Sequence, residues 1–106
     1  MLLMDKKILC ICRHGFSRSV ATKMCLNERG YFNVIAVGKQ NTDLKTLDML
    51  CKWADIILLA KFKHGDFILD DKKIEKHFSI GEDVWFNPYN KELHEIIDKQ
   101  LDLIGL

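Results

Sequence analysis

The sequence of 106 residues predicts an α/β fold of three layers, in which helices cover both faces of a four-stranded parallel sheet. Two observations lead to this prediction. Apolar, strand-like runs alternate along the chain with segments of helical periodicity, and the first run is apolar at every position rather than at every second one. Strands buried on both faces are typical of parallel sheets, whose right-handed crossovers place helices on each side.

The first predicted pair of elements is a strand and the helix that follows it. Ile8–Cys12 is an unbroken apolar run and is predicted to be the central strand. A helix is predicted over residues 17–29, because apolar residues recur there at helical spacing. Gly30 then supplies the left-handed residue at which helices commonly end.

The middle of the chain repeats this pattern. Residues 32–37 predict a second strand closed by Gly38, and residues 55–60 predict a third. Between them, a second helix is predicted to begin near Thr42 or Asp43. Its apolar stripe consists of Leu44, Leu47, Leu50 and Cys51.

The last third of the chain carries weaker patterns until the final helix. A short helix is predicted at 64–76 and a fourth strand at 77–80. Asn87 and Pro88 have the pattern of a helix N-cap followed by proline at the first helical position. The apolar stripe of this final helix consists of Leu93, Ile96, Ile97, Leu101 and Ile104.

Size and composition predict one soluble domain spanning residues 1–106. The hydrophobic share of 48% and the charged share of 29% are ordinary for a globular protein, and a net charge of +1 gives no general attraction to nucleic acid. The apolar opening ends at Asp5, too early for a secretory core or a membrane span, so a cytoplasmic protein without membrane association is expected. No cofactor is expected.

The four cysteines are not spaced for disulfides or zinc. They lie within predicted strands and helices, and no Cys-x-x-Cys pair accompanies them, so no metal site is predicted. Cys10, Cys25 and Cys51 are expected to pack as small buried apolar side chains. Strand alternation places Cys10 on the face of Cys12, although the following loop is expected to turn Cys12 away.

One segment carries the features of an anion site. After Cys12 ends the buried strand, five residues lead to Arg18, which opens a helix. Backbone amides that turn into a helix N-terminus form a nest for phosphate, and Gly15 permits the tight turn. The predicted phosphate-binding residues are Arg13, His14, Gly15, Phe16, Ser17, Arg18 and Ser19.

The same surroundings suit a nucleophilic thiolate. The helix N-terminus favours the negative form of Cys12, and Ser17 or Ser19 can donate a hydrogen bond to its sulfur or cap the helix. Arg18 can bind two oxygens of a phosphoryl group at once, which a lysine cannot do. The segment therefore predicts attack of Cys12 on a phosphate ester.

This pattern resembles the low-molecular-weight protein tyrosine phosphatase family, whose signature is a cysteine, five residues, an arginine and a serine or threonine. Cys12, Arg18 and Ser19 match it. The resemblance covers most of the chain, including 53–57 as the third strand and 81–93 as the C-terminal loop and helix. It implies the family fold, a phosphocysteine intermediate, an aspartate as general acid, and phosphorylated proteins or small phosphoesters as substrates.

The sequence departs from the family pattern at two places. The loop has Gly15 and Phe16 where the family usually has an asparagine that braces the turn. Larger members use an aspartate directly before a proline as the acid, whereas this chain has Asn87 there, which cannot donate a proton as an acid. Asp83 is the predicted acid because it follows the fourth strand, at the carboxyl edge where the Cys12 loop lies. Glu82 is the alternative.

Further charged and aromatic residues are expected around the rim of this site. Lys39, Lys61 and Lys63 follow the second and third strands, so they are predicted at the same edge and favour an anionic substrate. Trp85 and Tyr89 are candidates for an aromatic wall against a phosphotyrosine ring.

Other functions share parts of this pattern. A phosphocysteine carrier of a sugar phosphotransferase system resembles the chain in length and in the Cys-x-x-Gly-x-Ser pattern, although Arg18 favours hydrolysis. An arsenate reductase needs further cysteines late in the chain, and residues 61–106 contain none. A non-catalytic binder of phosphorylated ligands would keep the nest without the acid.

Overall fold

The computed structural model describes residues 5–12, 17–60, 76–78 and 87–106. The elements in chain order are β1 (Ile8–Cys12), α1 (Arg18–Glu28), β2 (Val34–Gly38), α2 (Leu44–Trp53), β3 (Ile56–Ala60), β4 (Lys76–Phe78) and α3 (Lys91–Leu103). The predicted α/β class with an open parallel sheet is confirmed. The short helix predicted at 64–76 lies outside the described residues, except that Lys76 belongs to β4.

The sheet has the strand order β2-β1-β3-β4, and every neighbouring pair is parallel. The three strands β2, β1 and β3 form its body, and β1 lies between the other two with all five residues buried. The pairing of β4 with β3 covers three residues only. Of the fourth strand predicted at 77–80, residues 79 and 80 lie outside the described part of the chain.

Helices pack on both faces of the sheet. On one face, α1 and α3 cover Ile8, Cys10 and Cys12 of β1. On the other face, α2 covers Leu9 and Ile11. The alternation of side chains along β1 thus divides the core into two apolar layers, which is why its sequence is apolar at every position.

The predicted ends of α1 and the predicted start of α2 agree with the structure. Ser17 is the N-cap residue of α1, and the chain leaves the helix through Gly30, which has a φ of 95°. At α2 the Asp43 side chain accepts a hydrogen bond from the amide of Thr46 at 3.3 Å. One detail of the α2 stripe was wrong: Leu44 occupies the first helical position and is exposed, so the buried stripe begins at Leu47.

The predicted start of α3 was wrong by three residues. The helix begins after Asn90, whose side chain accepts a hydrogen bond from the amide of Leu93 at 3.1 Å. Asn87 instead forms a turn, because its side chain accepts a hydrogen bond from the amide of Tyr89 at 2.9 Å. The ring Nε2 of His94 lies 2.6 Å from the carbonyl oxygen of Pro88, which ties this turn to the helix.

Ion pairs join α1 and α3, which lie on the same face of the sheet. The pairs lie at the C-terminal end of α1, remote from Cys12. Arg29, which caps the C-terminus of α1, pairs with Asp98 at 3.2 Å and with Asp102 at 2.9 Å. Both aspartates lie on α3, one turn apart. These pairs fix the orientation of α1, whose other end begins the candidate site. No helix in the described ranges is long and apolar enough to cross a bilayer.

Candidate functional site

The candidate site begins at the carboxyl end of the central strand. Cys12 is the last residue of β1, pairs in register with Gly38 of β2, and is only 2% exposed. Its carbonyl oxygen accepts a hydrogen bond from the backbone amide of Lys39 at 2.8 Å. The backbone of Cys12 is therefore held from the neighbouring strand. At such an edge of a parallel sheet, open α/β proteins bind their ligands.

The side chain of Cys12 contacts the first turn of α1. Its Sγ lies 3.1 Å from Oγ of Ser19, and the thiol donates to the hydroxyl. When Cys12 carries a negative charge, the hydroxyl of Ser19 can turn to donate to the sulfur, since a hydroxyl both donates and accepts. The structure thus pairs Ser19 with Cys12, although the thiol donates this bond, whereas the sequence predicted that the hydroxyl would donate it.

Arg18 is the first residue of α1 and is also only 2% exposed. A long charged side chain is rarely enclosed to this degree in a protein, and burial restricts the rotamers that it can adopt. Ser17 beside it is buried as well, and its carbonyl accepts the hydrogen bond of Ala21, although its side chain makes no capping bond. A buried arginine thus stands in the first turn of α1, at the end where the helix dipole is positive.

A buried hydroxyl that the sequence analysis did not single out supports this turn. Thr22 is completely buried, and its Oγ1 donates to the carbonyl oxygen of Arg18 at 2.7 Å. Hydroxyl residues in helices commonly bond back to the carbonyl four residues earlier, so the spacing of Thr22 from Arg18 was the available signal. The bond anchors the backbone from which the arginine projects.

The structure places Sγ of Cys12 against the hydroxyl of Ser19, which Ser17 and Arg18 directly precede at the start of α1, and the backbone of Lys39 lies at the adjoining strand end. Cys10 and Cys12 share the face of β1 that α1 covers, so the expectation that Cys12 turns away from this face was wrong. It was wrong because Cys12 still belongs to the strand and keeps its alternation. Tyr89 is exposed in the turn before α3.

Several predicted residues lie outside the described part of the chain. They are Arg13, His14, Gly15 and Phe16 of the loop, the acids Glu82 and Asp83, and the rim residues Lys61, Lys63 and Trp85. Their assignments stay predictions. Within the described ranges, no group of three or more His, Cys, Asp or Glu side chains could hold a metal ion.

All four cysteines are free thiols, and the pKa values of Cys10 and Cys25 are higher than that of an exposed thiol. Burial, together with the neighbouring Cys12, raises the pKa of Cys10 far above its ordinary value. Burial and the nearby carboxylate of Asp98 raise the pKa of Cys25 from 9.0 to about 12. Both groups therefore stay protonated near neutral pH.

We expect iodoacetamide to alkylate Cys12 well before Cys10 or Cys25 in the folded protein near neutral pH. The raised pKa values of Cys10 and Cys25 keep both thiols protonated at neutral pH, and protonated thiols react slowly. Sγ of Cys12 instead contacts the first turn of α1, at the end where the helix dipole is positive. Peptide mass spectrometry after brief labelling measures the order. Labelling of Cys25 as fast as Cys12 would contradict this assignment.

Comparisons of this chain with protein-family models, with curated proteins and with solved structures find no match.

Proposed function

We propose that this chain is a cysteine-dependent phosphatase that hydrolyses phosphate monoesters, with phosphotyrosine as the expected substrate. It would be a compact, cytoplasmic protein similar to the low-molecular-weight protein tyrosine phosphatases. One observation carries the proposal: Sγ of Cys12 lies 3.1 Å from Oγ of Ser19, and the buried Arg18 precedes Ser19 at the start of α1. A nucleophile, a hydroxyl donor and a bidentate cation thus adjoin one helix N-terminus.

In the first step, the thiolate of Cys12 attacks the phosphorus of the ester. A sulfur–phosphorus bond forms while the bond to the leaving oxygen breaks, and the electron pair of that bond goes to the oxygen. Arg18 binds two of the three remaining phosphoryl oxygens, on which negative charge is spread in the transition state. The amides of residues 13–18 would complete the cradle around these oxygens.

The leaving oxygen needs a proton, and Asp83 is the proposed donor, with Glu82 as the alternative. In the second step the resulting carboxylate removes a proton from water, whose oxygen bonds to phosphorus as the sulfur leaves. Cys12 returns to the thiolate, and inorganic phosphate is released. The step consumes one water and no other reagent.

The position of β4 supports the choice of acid. Because β4 is parallel to β3, the chain leaves it at the same edge as Cys12, and Asp83 follows Phe78 by five residues. Two strand spacings separate β4 from β1, about 10 Å, whereas five residues span up to about 17 Å. Asp83 is therefore within reach of a phosphate at Cys12. In this proposal β4 completes a four-stranded sheet of the phosphatase type.

The expected substrate follows from the rim of the site. The backbone amide of Lys39 bonds to the carbonyl of Cys12, so this lysine follows β2 beside the site, where its charge would favour a phosphate. Tyr89 is exposed in the turn that His94 fixes, so its ring is available to line the approach of an aromatic ester. Phosphotyrosine combines a dianion with a flat ring. A phosphorylated protein or a small aromatic phosphoester is thus the proposed partner.

We expect Ser19→Ala to lower kcat for para-nitrophenyl phosphate about 10- to 100-fold, and Ser19→Thr to retain most of the activity. Alanine removes the hydroxyl 3.1 Å from Sγ of Cys12, which stabilises the thiolate both before attack and as the leaving group of the second step. Steady-state kinetics of both variants measure the loss. Equal activity of both variants would show that the hydroxyl has no part in catalysis.

The proposed function is tested by the hydrolysis of para-nitrophenyl phosphate across pH, combined with rapid quenching to trap phosphate on the protein. We expect a burst of nitrophenol, one trapped phosphate on Cys12, and steady turnover. Asp83→Asn should reduce kcat about 10²-fold or more and alter the basic limb of the profile, because the leaving oxygen loses its proton donor. Glu82→Gln is the matched control, and a larger effect at Glu82 would reassign the acid.

The same experiment separates the remaining alternatives. A phosphocysteine that forms but transfers to a sugar rather than to water would identify a carrier. Binding of phosphotyrosine without a covalent intermediate or turnover would identify a binding module. Either result would overturn the phosphatase assignment while leaving the anion site in place.

A further inference from the structure

The two edges of the sheet differ in length and composition. β4 forms one edge with only three paired residues. β2 forms the other edge with five residues, Val34–Gly38, and contains neither a charged residue nor a proline. Proteins usually protect an edge strand with a lysine, a proline, a bulge or a covering segment, because its free backbone groups can pair with another chain. β2 itself has none of the first three, and Lys39 follows its last residue.

The outward-facing groups of β2 can be identified from its bonds to β1. The carbonyl of Asn33 accepts from the amide of Ile8, and the amide of Lys39 donates to the carbonyl of Cys12, each at 2.8 Å. Because backbone groups alternate along a strand, every second residue from Asn33 to Lys39 bonds to β1. The N–H and C=O groups of the intervening residues point to the open edge. These residues are Val34, Ala36 and Gly38.

The outward-facing N–H and C=O groups of β2 can pair with the same groups of a second copy of the strand. In an antiparallel pair, two opposite residues can exchange both of their N–H···O=C bonds. If two copies of β2 meet antiparallel with Ala36 opposite Ala36, then Val34 of each copy lies opposite Gly38 of the other. Three pairs of residues then exchange about six hydrogen bonds. No charged side chain within the strand opposes this approach.

Apolar side chains on and beside β2 are exposed, as is common for residues of a protein interface. Ile35, Ala36 and Val37 are only partly buried, although the remainder of the sheet body is almost completely enclosed. Phe32, two residues before β2, is 75% exposed. A large aromatic side chain at one end of an apolar, unprotected edge is typical of a residue that a partner covers.

We propose that a second copy of this chain docks on β2, so that two sheets join into one continuous sheet across a two-fold axis at Ala36. The interface is isologous, because the same strand serves on both sides. Phe32 of each copy lies near the end of the partner strand and loses part of its exposure. This inference does not depend on the proposed phosphatase activity.

The mass in solution tests the proposal. Light scattering coupled to gel filtration should give twice the chain mass of 12.4 kDa for the wild type. Ala36→Pro should give the monomer mass, since proline removes an outward N–H but no bond to β1, and edge strands tolerate it. Phe32→Ser should also shift the mass towards the monomer. Met49→Ser, which changes a 67% exposed residue on α2, is the matched control and should remain dimeric.

Amide hydrogen exchange supplies a second measurement that needs no variant. In the dimer, the amides of Val34, Ala36 and Gly38 should exchange as slowly as those of Ile35 and Val37, which bond to β1. Dilution to the monomer should accelerate only Val34, Ala36 and Gly38. Circular dichroism shows whether Ala36→Pro is folded; if it is not, exchange in the wild type and the Phe32→Ser variant decide.

A monomeric wild type with rapidly exchanging Ala36 and Gly38 amides would overturn the proposal. So would a monomer in which these amides are protected only by an added extended peptide, because the occupant of the edge would then be another protein. A dimer that persists in both the Ala36→Pro and Phe32→Ser variants would place the interface elsewhere.

Discussion

Cys12→Ser is expected to lower the turnover of para-nitrophenyl phosphate about 10⁴-fold or more while the protein stays folded and still binds phosphate. Replacing a nucleophile in other enzymes has effects of this size or greater, because no other group can form the covalent intermediate. The serine hydroxyl is a poor nucleophile near neutral pH, yet it can keep the hydrogen bond to Ser19. Binding of inorganic phosphate should persist, since Arg18 and the helix N-terminus remain.

The matched control for Cys12 lies two residues earlier on the same strand. Cys10 is buried on the same face, and burial raises its pKa, so it is expected to take no part in the reaction. Cys10→Ala should therefore keep kcat within a few-fold of the wild type. Rates and phosphate titrations of both variants make the comparison. A comparable loss in both variants would mean that packing of β1, rather than the thiol of Cys12, accounts for the effect.

Arg18→Lys is expected to lower kcat/KM about 10³-fold, although the positive charge is kept. An arginine that binds a transferring phosphoryl group typically contributes 10³- to 10⁵-fold to phosphoryl transfer, and one lysine ammonium cannot bind two oxygens in the same plane. Most of the loss should appear in kcat, because charge accumulates on the phosphoryl oxygens in the transition state. Steady-state kinetics show how much of the loss lies in kcat and how much in KM.

The same helix provides the control for Arg18. Arg29→Lys changes the arginine at the opposite end of α1, where it pairs with Asp98 and Asp102. It should lower thermal stability slightly and leave kcat/KM within a few-fold of the wild type. An Arg18→Lys variant that melts like the wild type and hydrolyses substrate at the wild-type rate would show that two-oxygen binding is not needed.

The fold could be predicted where local pattern and tertiary packing agree. The apolar run of β1 and the glycine after α1 each allow one interpretation, and both were correct. The start of α3 was missed because Asn87 and Asn90 are both suitable caps. The choice depends on the contact between His94 and the carbonyl of Pro88, which no local pattern reveals. Likewise, the second strand was predicted to begin at Phe32, whereas β2 begins at Val34 and Phe32 is exposed.

The candidate site could be predicted in part for a similar reason. The spacing of Cys12 and Arg18 follows from covalent continuity between a strand and a helix, so it is visible in the sequence. The contact between Ser19 and Cys12 also depends on the rotation of α1 about its axis, which packing against α3 determines. The bond from Thr22 to the Arg18 carbonyl is instead local to the helix and follows from the spacing of four residues.

Because β1 is the central strand, the candidate site at its end should stay intact as long as the whole domain is folded. A strand held on both sides by neighbours and covered on both faces is released only when the entire domain comes apart, unlike loops or termini that open locally. Cys12 ends that strand. Its environment should therefore survive partial fraying elsewhere and disappear in a single cooperative step, so that chemical denaturation abolishes anion binding and secondary structure at one midpoint.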